Sequence, residues 1–169
     1  MTGYRPNSGA GIILLSFILA LMLTISPIPW EDRLPDWFSG LRPEWTALVL
    51  LYWSLAVPER VGVGCGWLAG LFQDALLGTL LGQHALAFAV IAYFAIRLHK
   101  HLRMVPVWQQ SLVVLGLLFL VQILLFWING IIGRPSPDWQ VWTSPIIGAF
   151  LWLALFPFMR NIRRRYNIQ

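Results

Sequence analysis

Apolar positions along this chain come in long unbroken blocks, and polar residues are confined to short runs between them. Six blocks can be read, at residues 9–26, 45–57, 61–81, 82–96, 107–132 and 141–159. Neither the two-residue alternation of a half-buried strand nor the narrow stripe of a surface helix is present. Uninterrupted runs of this kind predict helices that cross a membrane. About 20 residues are needed for a bilayer crossing, so the second and fourth blocks are short. They either cross with interfacial ends or are partly re-entrant. In the re-entrant arrangement blocks two and three form a hairpin with Glu59 and Arg60 at its tip, and the chain crosses four times rather than six. The first block ends at Ser26-Pro27-Ile28-Pro29 without a small-x-small cleavage pattern and is read as a retained helix.

Within the third block, Gly62, Gly66, Gly70, Asp74, Gly78 and Gly82 recur at four-residue intervals. Small residues at this spacing let a second helix approach closely. A carboxyl group at bilayer depth costs at least about 2.5 kcal/mol on insertion scales. A 3.6-residue helix drifts by about 40° at each four-residue step, so Gly70, Asp74 and Gly78 share one face while Gly62 and Gly82 rotate away from it. Helix packing, against a partner or within the bundle, is the expected role of this stripe. Asp74 is expected to be a structural carboxylate, either protonated by desolvation or hydrogen-bonded to Gln122, Asn129, Thr79 or nearby backbone; a proton-transfer or ligand role is the competing reading.

Composition narrows the class. Of 169 residues, 58% are hydrophobic and 11% charged, which leaves no room for a separate soluble domain. The net charge of +5 follows topology. If all six blocks cross, Arg5, Arg60, Arg97, Lys100, Arg103, Arg160, Arg163, Arg164 and Arg165 fall on one side, and Arg33, Arg42 and Arg134 fall with most of the acids on the other. The positive-inside rule then places both termini in the cytoplasm. Contact with anionic lipid accounts for the basic balance, and nucleic-acid binding is not expected. Trp30, Trp37, Trp45, Trp108, Trp139 and Trp142 lie near block ends as interfacial anchors; Trp53, Trp67, Trp127 and Trp152 lie deeper, as packing or cavity residues. The connection 28–44 is expected to lie along the outer interface.

Catalytic chemistry finds little footing. No HExxH or CxxC motif or Ser-His-Asp order is present, and the single Cys65 supports neither a disulfide framework nor a metal cluster. His84, at a helix boundary, is expected to cap or to hydrogen-bond at the interface. Gly62-x-Gly64-x-Gly66 follows no strand and is read as packing rather than as a dinucleotide fingerprint. Neither a cofactor nor a metal is expected.

An ordered set of short strings carries a resemblance over essentially the whole chain. Arg42-Pro43-Glu44-Trp45, Leu51-Tyr52-Trp53, Pro58-x-Arg60-Val61-x-Val63-Gly64, the glycine stripe around Asp74, Leu81-Gly82, Ala85-Leu86-Ala87 and Trp108-Gln109-Gln110 together resemble the MreD family of rod shape-determining proteins of Gram-negative bacteria. The resemblance implies an all-α polytopic inner-membrane protein, a six-helix bundle resembling the substrate-binding subunits of energy-coupling-factor vitamin transporters. It implies a non-enzymatic scaffold that binds MreC and works with MreB, RodA and a class B penicillin-binding protein in lateral-wall peptidoglycan synthesis. Arg42, Pro43, Trp45, Pro58 and Arg60 are carried over as fold or interface positions, beside the glycines and Asp74. The outer loop 133–139, with Pro135 and Pro137, matches no family pattern. The alternative is a membrane module that binds a small molecule or lipid in a cavity formed by Asp74, Gln122, Trp127 and Asn129.

Overall fold

The computed structural model describes residues 8–26, 42–134 and 139–166. Those residues form six α-helices and no strand: α1 (Ser8–Ile25), α2 (Trp45–Ala56), α3 (Val63–Leu77), α4 (Gln83–Leu102), α5 (Val107–Ile132) and α6 (Ser144–Arg165). A 3-10 turn, Trp139–Thr143, leads into α6. The interfacial course expected for the outer connection, the anchors Trp30 and Trp37, Arg5, Arg33, and Pro135 and Pro137 lie outside the described residues.

The helix ends have local causes. Pro58 forces Val57 out of helical geometry, to φ −141 and ψ 68, so α2 stops at Ala56. α3 is shorter than the predicted 61–81: it begins after Gly62 and ends where Gly78 takes a left-handed conformation. α4 runs past the predicted residue 96 to Leu102, because Arg97–Leu102 contains no helix breaker and its basic residues suit a helix C-terminus. α6 starts later than predicted, after the 3-10 turn with Pro145 in its first turn, and continues into the arginine-rich tail. With 20 residues, α4 rises about 30 Å and is no longer short for a bilayer. Three segments, Gln83–Leu102, Val107–Ile132 and Trp139–Arg165, are long and apolar enough to cross a membrane; α1, α2 and α3 are shorter apolar helices.

α2 is the axis of the bundle. Every residue from Thr46 to Leu55 is buried, and α1, α4 and α6 pack around it. An apolar helix without a polar face belongs in an interior. Two polar stitches fix α1 on α2: Trp53 Nε1 donates to Ser16 Oγ at 2.8 Å, and the Thr24 and Thr46 hydroxyls meet at 3.3 Å. α5 and α6 are joined by Ser111 Oγ donating to the Ala149 carbonyl at 2.6 Å. The outward faces remain strongly apolar: Leu14, Met22, Phe72, Leu112, Ile131 and Phe150 are all exposed. A packed helical interior beneath so apolar an exterior is the build of a membrane helix bundle.

Candidate helix-packing and polar site

The glycine stripe divides into parts with different work. Gly66 and Gly70 face α4: a Cβ at Gly66 would lie 2.8 Å from the Phe88 carbonyl oxygen, and one at Gly70 would run into the backbone of Ala85. α3 and α4 are therefore in near backbone contact, and the small residues are used within the bundle at these two positions. Gly78 and Gly82 have open space around them but adopt φ of 65° and 103°. They turn the chain sharply between α3 and α4, in a conformation L side chains rarely take. Gly62 precedes α3 in an extended conformation, with nothing near its absent side chain.

That turn delivers the start of α4 onto Asp74. The first backbone N–H groups of a helix have no partner within it, and here a carboxylate from the preceding helix takes them. Asp74 Oδ2 accepts from Gly82 N–H at 2.9 Å and from Ala85 N–H at 3.4 Å; His84 N–H lies 3.0 and 3.1 Å from the two oxygens. Thr79 Oγ1 donates to Oδ1 at 2.7 Å, and the His84 ring Nδ1 sits 2.7 Å from the same oxygen. With Nδ1 protonated, every neighbour of the carboxylate is a donor. The positive end of the α4 dipole adds to the attraction. Asp74 is fully buried, and the Phe88 and His84 rings meet in a T-shaped contact with centroids 5.9 Å apart.

Thr79 and backbone are thus the partners of Asp74, and Gln122 and Asn129 are not. The four residues that the alternative reading places around a polar cavity differ in their surroundings. Asp74 is taken up by α4, Gln122 is buried on α5, Asn129 is only partly buried, and Trp127 is 66% exposed. The deeper tryptophans separate similarly: Trp53 and Trp152 are core residues, whereas Trp67 and Trp127 face outward. His84, expected to act as a boundary group, is the ring partner of Asp74. Its place was unreadable because it depends on two left-handed glycines, although each residue was conspicuous by itself.

The remaining marked residues hold the ends of helices. Gln73, beside Asp74, donates to Glu44 at 3.3 Å, and Ser144 Oγ donates to the Arg42 carbonyl at 2.7 Å, so the entry to α2 is fastened to both α3 and α6. The Pro43 carbonyl accepts from Trp45 N–H at 2.9 Å, and Trp45 packs against the core. Pro58 opens the turn that follows α2. Arg60 lies in that turn and, with Ile13, Phe17, Leu68 and Phe72, lines an apolar groove of about 530 Å³ between α1 and α3. No group of three potential metal ligands occurs among the described residues.

The rod shape-determining protein MreD family model matches residues 7–162. A curated relative, the rod shape-determining protein MreD of Haemophilus influenzae, is 35% identical over 156 residues, covering 92% of this chain and 93% of the relative. No solved structure matches the chain.

Proposed function

The chain belongs to the MreD family of rod shape-determining proteins, and from that premise we propose that it is a non-enzymatic scaffold of the cell-elongation machinery. In this reading it resides in the bacterial inner membrane with all six helices crossing and both termini in the cytoplasm. It binds the transmembrane helix of MreC and so helps organise lateral-wall synthesis with MreB, RodA and a class B penicillin-binding protein. A relation to the vitamin-capture fold belongs to the same proposal.

One observation carries the reading: the carboxylate at the heart of the chain is engaged by its own α4, while an apolar groove runs between α1 and α3. A group held by so many donors is suited to fixing a structure, not to moving protons. A groove walled by Ile13, Phe17, Leu68 and Phe72 offers an apolar helix tight packing without desolvating a polar surface. Because Gly66 and Gly70 are consumed by α4, the partner is assigned to this opposite side of α3.

Cysteine cross-linking tests the assignment. In a Cys65→Ser background, cysteines replacing Leu68 or Phe72 should form adducts with cysteines along the MreC transmembrane helix, and cysteines replacing Phe150 on α6 should not. Adducts confined to the α6 positions would reject the groove as the docking site. The same groove favours a second reading, capture of a lipid or other apolar small molecule. Native mass spectrometry separates the two: retention of one small ligand without MreC supports capture, and recovery only with MreC supports scaffolding.

A further inference from the structure

At the basic end of the bundle the ends of α2 and α4, the start of α5 and the last turns of α6 enclose a second cavity, of about 370 Å³. Its wall includes Tyr52, Arg103, Gln110, Phe156, Arg160 and Arg163, and no acidic residue. The volume lies within the range of small-molecule sites. Three guanidinium groups at one cavity are an arrangement suited to a phosphate, since each offers a planar fork of N–H donors. Arg103 and Arg163 spend only part of that capacity on the terminal carbonyls of α2: Arg103 donates from Nε to Leu55 and from Nη2 to Ala56, and Arg163 from Nη1 to Ala56. A guanidinium has five donors, so both retain several, and Arg160 forms no hydrogen bond or ion pair among the described residues.

The second observation is independent of charge. Gln110 is 4% exposed, and its Nε2 is held by the Leu102 and Val105 carbonyls at 2.8 and 3.2 Å. Those bonds fix the amide so that Oε1 is the remaining group, and Oε1 is buried without a partner. The Gln110 amide thus ties the start of α5 to the Leu102–Val105 turn, the two segments that wall the cavity beside Arg103, and so fixes the cavity's shape.

We propose that this cavity binds the phosphate of an anionic lipid headgroup, the chemistry of phosphatidylglycerol, with the phosphate on Arg160, Arg163 and Arg103. Basic pockets between transmembrane helices are suited to anionic lipid headgroups. The site stands apart from the α1–α3 groove and does not depend on which end of the bundle faces the cytoplasm.

Native mass spectrometry of the full chain in detergent tests it, with phosphatidylglycerol, phosphatidylmethanol, phosphatidylcholine and inorganic phosphate as probes. Phosphatidylglycerol should be retained in preference to phosphatidylcholine, and Arg160→Gln should weaken that retention about tenfold. Arg165→Gln, which removes the same charge outside the cavity, should leave it unchanged. Phosphatidylmethanol keeps the charged phosphodiester but lacks the glycerol hydroxyls, so it should bind as phosphatidylglycerol does; its failure to bind would overturn the phosphate as the recognised group. Arg160-dependent binding of inorganic phosphate without lipid preference would support the phosphate site and make its source soluble. Equal losses in Arg160→Gln and Arg165→Gln, or no binding of any phosphate probe, would overturn the site itself.

Discussion

His84 meets Asp74 twice, through its backbone N–H at 3.0 Å and its ring Nδ1 at 2.7 Å, so one residue in the first turn of α4 both receives the cap and holds the carboxylate that provides it. The cap comes from α3, which makes it a tertiary link rather than a local one. Asp74→Ala should lower stability by about 2 kcal/mol or more, through loss of the cap and stranding of buried donors. Asp74→Asn should fall between the native chain and Asp74→Ala, because its amide NH₂ would face a shell made of donors. Thermal unfolding of the purified chain in detergent reads both, and an unchanged midpoint for Asp74→Ala would mean that the carboxylate does not hold α4 on α3.

The glycines should separate into classes under alanine substitution. Gly70→Ala drives a Cβ into the backbone of α4 and should cost about 1–3 kcal/mol, because backbone cannot move aside as a side-chain tip can. Gly78→Ala meets no neighbour but forces alanine to a φ of 65°, at a cost of about 1 kcal/mol. Gly64→Ala, inside α3 with nothing within contact distance, should be neutral or stabilising by up to about 1 kcal/mol. Melting midpoints measured on the three variants in one detergent check the order, and a Gly70→Ala protein as stable as Gly64→Ala would show that α3 and α4 are not so close.

How much of this was readable from sequence differs from residue to residue. Pro58 and Pro106 announce the end of α2 and the start of α5, since proline acts on the backbone whatever surrounds it. The membrane class was also legible, because it depends only on run length. Burial was not: α1 and α2 are both apolar throughout, yet α2 is enclosed and most of α1 faces outward. In a lipid solvent hydrophobicity no longer distinguishes inside from outside, so Trp53 and Trp127 looked alike. The Asp74–His84 pair was hidden for another reason. It follows from the backbone path through residues 78–82, which no periodicity encodes.

Ser16 and Trp53 should behave as a coupled pair. Trp53 is fully buried, and Ser16 Oγ is the acceptor of its indole N–H. Ser16→Ala strands that donor and should cost about 1–3 kcal/mol. Trp53→Phe removes the donor and leaves a gap, so adding Ser16→Ala to it should cost much less than Ser16→Ala alone. A double-mutant cycle on detergent unfolding measures the coupling; simple additivity would mean that the 2.8 Å contact contributes nothing to holding α1 on α2.

Arg103 clasps α2 from the end of α4, and Arg163 does so from α6, with the Ala56 carbonyl shared between them. Pro58 has no N–H, and the chain leaves helical geometry at Val57, so the last carbonyls of α2 lack their next helical donors. The two arginines supply replacements and carry positive charge to the negative end of the helix dipole. Arg103→Lys keeps the charge but cannot reach two carbonyls with a planar fork, so it should still cost about 1 kcal/mol, and Arg103→Ala about 2. Arg103→Ala and Arg163→Ala combined should differ from the sum of the two, with the second loss at Ala56 felt only once the first guanidinium is gone, since either one alone still satisfies that carbonyl. Hydrogen exchange at the backbone N–H groups of Arg60 and Val61, which both donate to the Val57 carbonyl, should accelerate as this end of α2 loosens. Protection unchanged in the double variant would mean that the clasp is not what holds the turn.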